Sequence, residues 1–296
     1  MDVIFRVFYS VVLGLVVTAC SQNPTSSPAE AEEPVASPVP LARSIAASID
    51  SAKFENLAPD VRQRSILALE DNAATLAYSS CKTPPHAFLA RLSAKGGAEE
   101  TTLPGGIERL PMEEAAAYIA YLIHAAETDD TDHRASLRAS PVVIAPALAV
   151  AEASGASGED LLTAIAIGYS VLGALGEPTG PIQTQGLMSA SVYGTISSAA
   201  VASYLLELDE EQTQHAVSLA ASAGNGLFQY YFDQSDEKRI VIARSARIGV
   251  EAALLAQAGE EGAPFILEGR SGLYPVLTGT SLSKAQIETM VAKIAA

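Results

Sequence analysis

The chain has 296 residues, 49% hydrophobic and 18% charged, which excludes a disordered or fibrous protein and suffices for one large domain or two ordinary ones. Its 34 acidic against 18 basic residues leave a formal net charge of −16, and no Lys/Arg cluster interrupts that excess, so no nucleic-acid partner is expected. The same field repels anionic ligands at long range, so a carboxylate ligand would need a local set of cations.

The N-terminal "MDVIFRVFYSVVLGLVVTACSQ" places Arg6 ahead of an apolar run, Val7 to Val17, too short to span a bilayer comfortably. The "VTAC" step that closes it resembles a bacterial lipobox, in which Cys20 is acylated and becomes the mature N-terminus; an ordinary signal peptide or a short anchor is the alternative. Ser21 after the cysteine favours an outer-membrane address, so a lipid anchor on the periplasmic face of that membrane is expected. Ser21 to Pro40 is rich in proline and almost free of large apolar side chains, which makes it a tether. Residues 1–19 are therefore read as a lipoprotein signal peptide, 20–40 as the tether and 41–296 as one all-α domain. With Cys20 acylated, Cys81 stands alone and no intramolecular disulfide is available.

From Leu41 onward helical runs follow one another and strand signatures are nearly absent. Pro59 and Asp60 open a run through Tyr78 in which Val61, Ile66, Leu69, Ala73 and Leu76 are expected to share a buried face. "LPMEEAAAYIAYLIHAA" carries its acidic residues early, where the macrodipole favours them. "SGEDLLTAIAIGYSVLGALG" starts at a Ser157 N-cap with Asp160 in the reciprocal position, and ends near Gly176. "LDEEQTQHAVSLAASAG" repeats the scheme with Asp209, Gln212 and a stop at Gly224. Gly186 to Leu206 carries no charge, so a transmembrane span has to be weighed. Its serines, threonine and two glycines favour a closely packed helix in a soluble core instead.

At the end of one such run, "HAAETDDTDH" (His124 to His133) concentrates carboxylates, imidazoles and threonines. A metal site, an acid/base site and a solvated acidic helix end all fit the composition. The metal reading lacks any recognised zinc or calcium spacing.

Several stretches, in order, resemble the MmgE/PrpD family of 2-methylcitrate dehydratases, cis-aconitate decarboxylases and iminodisuccinate epimerases. They include "LAPDVRQRSILALEDNAATLAYSS", "AAAYIAYLIHAAETDDTDH", "LELDEEQTQHAVSLAASAGNGLFQ", "KRIVIARSARIGVEAALLAQAG" and "ILEGRSGLYPVL". The resemblance implies a large helical domain, paired in a homodimer, that binds small di- or tricarboxylates without a metal or organic cofactor. It also implies a smaller α/β domain that closes over the site; since this chain stops soon after "EGRSGLYPVL", that lid is expected to be missing or supplied by a separate lid-domain chain.

The family pattern at the acidic stretch resembles H-A-x-D-F-D-D-T, which sets Glu127 where the family has a catalytic-site aspartate and Thr131 on its threonine. Glu127 is thus the candidate base and Thr131 a donor to a substrate carboxylate; if the helix persists, their spacing puts both on one face. "DEKRIVIARSARIG" places Lys238 on the family's active-site lysine, with an exposed ion-pair cluster beside Asp236 and Glu237 as the alternative. Asp129, Asp130 and Arg138 complete the set expected to contact substrate, Arg138 with Arg134 standing in for a lost charge. The helix that ends near His124 is expected to bring this loop against the Lys238 segment.

Two departures stand out. Where the family has histidines, this chain has Ala139 and Met188, and neither can move a proton. His133, His86 and His215 are expected to be surface or structural residues. Two hypotheses follow: a diverged, membrane-tethered pseudoenzyme that binds a polycarboxylate or merely dimerises, and an active lyase or isomerase completed by another chain. A homodimer through the small-residue helices is expected in either case.

Overall fold

The computed structural model describes residues 39–106, 108–134 and 136–294. The expected signal peptide, Cys20 and nearly all of the tether lie outside them. The first helix, α1 (Leu41–Asp50), buries Leu41, Ala42, Ile45, Ala46 and Ile49, an i, i+4 stripe. Pro40 at its N-cap has no side chain to offer, and the Leu41 N–H is met from 227 residues away by Glu268 Oε1 at 2.8 Å. Burial raises the Glu268 carboxyl above its ordinary range, against the lowering effect of that N–H.

Helix α2 (Pro59–Lys82) corrects one expectation. Ile66 and Ala73 are exposed, and the inward positions are Ser65, Asn72, Thr75, Leu76 and Ser79. Two groups of this polar strip find partners inside the protein. Asn72 Nδ2 donates to Ala68 O at 2.8 Å, and the Thr75 hydroxyl lies 3.3 Å from that of Thr128. Helix α3 (His86–Ser93) leads to a short antiparallel pair, β1 (Thr101–Thr102) with β2 (Arg109–Leu110).

The centre is built from α4 (Met112–Ala125), α5 (Ser140–Ser154), α6 (Gly158–Gly176), α7 (Ser189–Leu205) and α10 (Glu237–Gln257). Around them lie α8 (Glu210–Ala223), the short α9 (Gln229–Asp233) and α11 (Leu273–Thr278), and α12 (Lys284–Ile294). Both expected capping boxes form: Ser157 with Asp160 on α6, and Asp209 with Gln212 on α8. The charge-free stretch becomes α7, which is buried along nearly its whole length by this chain's own helices.

Small residues make that enclosure possible. A Cβ on Gly249 of α10 would lie 2.3 Å from Ser198 Cβ and 2.6 Å from Thr195 O of α7, so only glycine permits the two backbones to come this close. One described helix, α6, is long and apolar enough to cross a membrane by length and composition, and most of its apolar window is buried inside the protein.

Candidate functional site

The site starts where α4 stops. The helix ends at Ala125 and the chain turns through Glu127 at φ +56°, a left-handed conformation usually left to glycine just past a helix C-terminus. Thr131 is therefore not one helical turn from Glu127, as a continuing helix would have placed it. It reaches the site along the loop, from an exposed position on the wall of a cavity. Among described residues, Glu127, Ser136 and Gln234 are three of the four non-glycine residues at positive φ. All three line this cavity or the recess beside it, and strained backbone of this kind concentrates at working sites.

The acidic loop is held by charge. His124, on the last turn of α4, and Asp129 have fully buried side chains, with His124 Nδ1 to Asp129 Oδ2 at 2.6 Å. An ionised carboxylate only accepts, so the ring donates through Nδ1. Asp130 Oδ1 accepts the Ser140 N–H at 2.8 Å and the Ser140 hydroxyl, and its Oδ2 takes the Tyr169 hydroxyl at 2.7 Å. That places a carboxylate at the N-terminus of α5, where the helix dipole favours it. Burial, then the Asp130 charge, raise the Tyr169 phenol far above its ordinary value. Asp132 pairs its backbone with Leu137 and takes the Arg134 guanidinium at 2.6 Å. Asp129 and Asp130, expected to meet substrate, each bind protein donors and neither lines the cavity; Asp129 Oδ1 alone of their oxygens is buried without a partner.

Lys238 comes from the other side. It sits in the first turn of α10, where a cation opposes the helix dipole, so helix stability does not account for it. Its ammonium lies 2.7 and 2.6 Å from the two Glu127 oxygens, although 111 residues separate the pair. Burial would raise the Glu127 carboxyl. The hydrogen bond from Lys238, and the charges of His124, Lys238 and Arg138, outweigh it and hold the group below the ordinary glutamate value. Arg138 Nη1 also donates to the Asp129 main-chain oxygen at 2.5 Å, which ties the loop's middle to its end.

These groups surround a cavity of about 290 Å³, at the small end of the range for ligand sites. Thr131, Arg138 and Lys238 line it, together with His124 and Gln183. Met188, Ser189 and Ala190, the N-terminus of α7, add the positive end of a helix dipole. Phe228, Tyr230 and Tyr231 supply the apolar wall. They are carried there because Met188 N donates to Gly226 O at 2.9 Å and Phe228 N to Gly186 O at 2.8 Å. Gly226, at φ +144°, is required for that approach, since a Cβ would sit 2.5 Å from Ser191 Oγ. Burial, then the Glu127 charge, push the Tyr230 phenol up to about 12, so it remains a donor at neutral pH. A recess of about 410 Å³ shares Lys238, Tyr230 and Tyr231 and adds Glu127 and Arg239.

Three of the ten buried polar side-chain atoms without a partner among the described residues belong to this cavity's wall. Buried His124 Nε2, Gln183 Oε1 and Ser189 Oγ have no hydrogen-bond partner in the protein, and all three residues are on its wall. Two larger grooves lack this character. One of about 390 Å³ beside β1 has Glu152 as its charged group, and one of about 750 Å³ has Asp50, Asp160 and Glu207; neither has a lysine or arginine on its wall.

Of the expected residues, the structure brings together Glu127, Thr131, Arg138 and Lys238 and turns Asp129 and Asp130 inward. Met188 is in the cavity wall, while Ala139 is fully buried at the N-cap of α5. His133 and His86 are exposed, and His215 Nδ1 accepts the Gly262 N–H at 3.2 Å. His124, Gln183, Ser189 and Tyr230 were missed as site residues. The His124–Asp129 spacing of five matches no helical period, and only the proximity of the two types within "HAAETDDTDH" hinted at it.

Comparison with known proteins finds several similar chains. Cis-aconitate decarboxylase of Homo sapiens is 32% identical over 170 residues, covering 55% of this chain and 35% of that protein. The mouse cis-aconitate decarboxylase is 32% identical over 169 residues, covering 55% and 34%. A cis-aconitate decarboxylase-like protein of Aspergillus oryzae is 31% identical over 167 residues, covering 53% and 34%. The match thus spans about a third of each of these relatives. Residues 43–285 match the MmgE/PrpD N-terminal domain, which takes in every helix of the site, and the chain therefore belongs to the MmgE/PrpD family.

Proposed function

We propose that the cavity binds a small di- or tricarboxylate and that the protein is a diverged member of lyase ancestry, weakly active or inactive on its own. The observation that carries this reading is the convergence of Lys238, Arg138, Thr131 and the N-terminus of α7 on one small cavity, in a chain whose net charge is −16. A cationic wall inside an acidic protein selects an anion locally while the long-range field keeps association weak. In the resting site Glu127 occupies Lys238, and an incoming ligand carboxylate takes its place there. The cis-aconitate decarboxylases among the relatives suggest unsaturated or hydroxylated tricarboxylates as first probes.

Calorimetry with cis-aconitate, citrate and succinate tests it. Binding should weaken at least tenfold in Lys238→Ala and in Arg138→Ala, and stay unchanged in Arg43→Ala, an exposed ion pair with Glu210 on another face. Equal affinity in all four proteins would refute it. The second reading, an active lyase or isomerase completed by a separate lid chain, draws on Glu127 standing where the family has a catalytic-site aspartate. Turnover of cis-aconitate or 2-methylcitrate that collapses in Glu127→Gln would favour it. Membrane attachment through Cys20 and a homodimeric state belong to the same proposal, and are tested by mass spectrometry of the mature N-terminus and by light scattering.

A further inference from the structure

We infer that His124, oriented by Asp129, is the group that moves a proton at this site, in the place of the imidazoles that Ala139 and Met188 cannot supply. The inference rests on the carboxylate-binding reading above and deepens it. Three observations carry it. His124 is a residue of the cavity wall, and its Nδ1 is committed to Asp129 at 2.6 Å, with both side chains fully buried. Its Nε2 is buried and has no partner in the protein, and in the neutral ring with Nδ1 on Asp129 it is the nitrogen that bears the lone pair. Arg138 grips the Asp129 main-chain oxygen at 2.5 Å, so the orienting residue is itself fixed.

Leaving a buried polar atom unpaired costs about 1–3 kcal/mol, so a histidine kept for structure alone gains nothing from an unmet Nε2. The arrangement has the form of a base held in one tautomer by a carboxylate, with its second nitrogen left unmet by the protein. Glu127 is a poorer base here: its carboxyl is held low and both its oxygens are on Lys238.

The step it would serve is transfer of a proton at a carbon next to a ligand carboxylate. The Nε2 lone pair forms an N–H bond as the C–H bond breaks. The electron pair stays on carbon and delocalises into the carboxylate held by Lys238, and Asp129 balances the imidazolium charge. Returning the proton, to the same carbon or to its neighbour, restores the resting state with no other reactant. His124 is then a catalytic residue and Asp129 a positioning residue.

The test uses the whole protein with 15N-labelled histidine. His86→Gln, His133→Gln and His215→Gln assign the His124 nitrogens by elimination without touching the site. Saturating citrate or cis-aconitate should shift Nε2 and leave Nδ1 in place. In deuterium oxide the protein should exchange the methylene protons of bound citrate. His124→Gln should lose about a hundredfold or more of that exchange rate, with affinity kept within about threefold. Asp129→Asn should fall between, again with affinity kept. If calorimetry shows binding but Nε2 does not move, the inference falls and carboxylate binding stands. It falls in the same way if wild-type protein exchanges nothing, or if His124→Gln exchanges at the wild-type rate. If neither ligand binds, the binding reading fails and takes the inference with it. Should His124→Gln not fold, the wild-type resonances decide.

Discussion

The contact between α7 and α10 and the loop from Ala126 to Ala139 adjoin one cavity but are held by different physics. Helix meets helix through Gly249, Ser198 and Thr195, where geometry is fixed by how closely backbones can approach. The loop has few apolar side chains and is fixed by hydrogen bonds to carboxylates: Asp129 to His124, Asp130 to Ser140 and Tyr169, Asp132 to Arg134. A packed seam tolerates no added atom but is indifferent to pH. A charge-held loop accepts changes of bulk and answers to protonation. The site therefore has one rigid wall and one wall that ionisation can loosen.

The contrast breaks most visibly at the seam. Gly249→Ala puts a methyl against Thr195 O and Ala199 N, backbone atoms that cannot rotate away, and should cost about 3 kcal/mol, the upper end for overpacking. Urea unfolding should show that loss unchanged between pH 5 and 8. Asp130→Ala, on the loop, should cost about 2 kcal/mol by leaving the Ser140 N–H and the Tyr169 hydroxyl unmet. Tyr169→Phe in the same background should recover part of it, since one orphaned donor is then gone; additive losses would show that the two groups do not share a bond.

A sharper comparison comes from Glu127, where backbone and charge can be separated. Glu127→Gly relieves the left-handed residue and should be more stable than Glu127→Ala by about 1 kcal/mol in thermal unfolding. Equal stabilities would mean that φ at this position relaxes. The smallest effect is electrostatic. The folded Glu127 carboxyl titrates below its unfolded value of about 4.3, so its pair with Lys238 contributes above that pH and is lost as pH falls through the folded value. Glu127 is 44% exposed, so the contribution is screened to about 0.5 kcal/mol. Glu127→Gln should be slightly less stable than wild type at pH 7, with the gap closing as the pH drops below about 4.

How far the sequence spoke follows the same division. The capping boxes at Ser157 and Asp209 are contained within four residues, and α6 and α8 begin where local chemistry says they must. The end of α4 was readable to within a residue or two. The buried face of α2 was not, because hydrophobic spacing assumes apolar burial. This helix instead buries Asn72 and Thr75, which bond to Ala68 one turn back and across to Thr128. The meeting of Glu127 with Lys238 came from the family resemblance; no spacing rule spans 111 residues. The placement of Asp129 and Asp130 was not legible for a physical reason. A carboxylate in a loop looks available, and only the fold shows that His124 and Ser140 reach it first.

One bond outside the site bears on how the chain reaches this state. Leu41 N–H is met by Glu268, and α1 packs mainly on α8, α12 and α7, all of which lie from Ser189 onward. Among the described helices α1 is the first to leave the ribosome, and it finds these neighbours only after the chain has been made well beyond Ser189. At about 5–20 residues per second that is a wait of roughly ten seconds or more, spent with the Leu41, Ile45 and Ile49 stripe uncovered. Docking of α1 closes a long loop and so belongs late in folding, when the loop-closure cost can be met by contacts already formed. Until then the stripe is uncovered apolar surface of the kind chaperones shield.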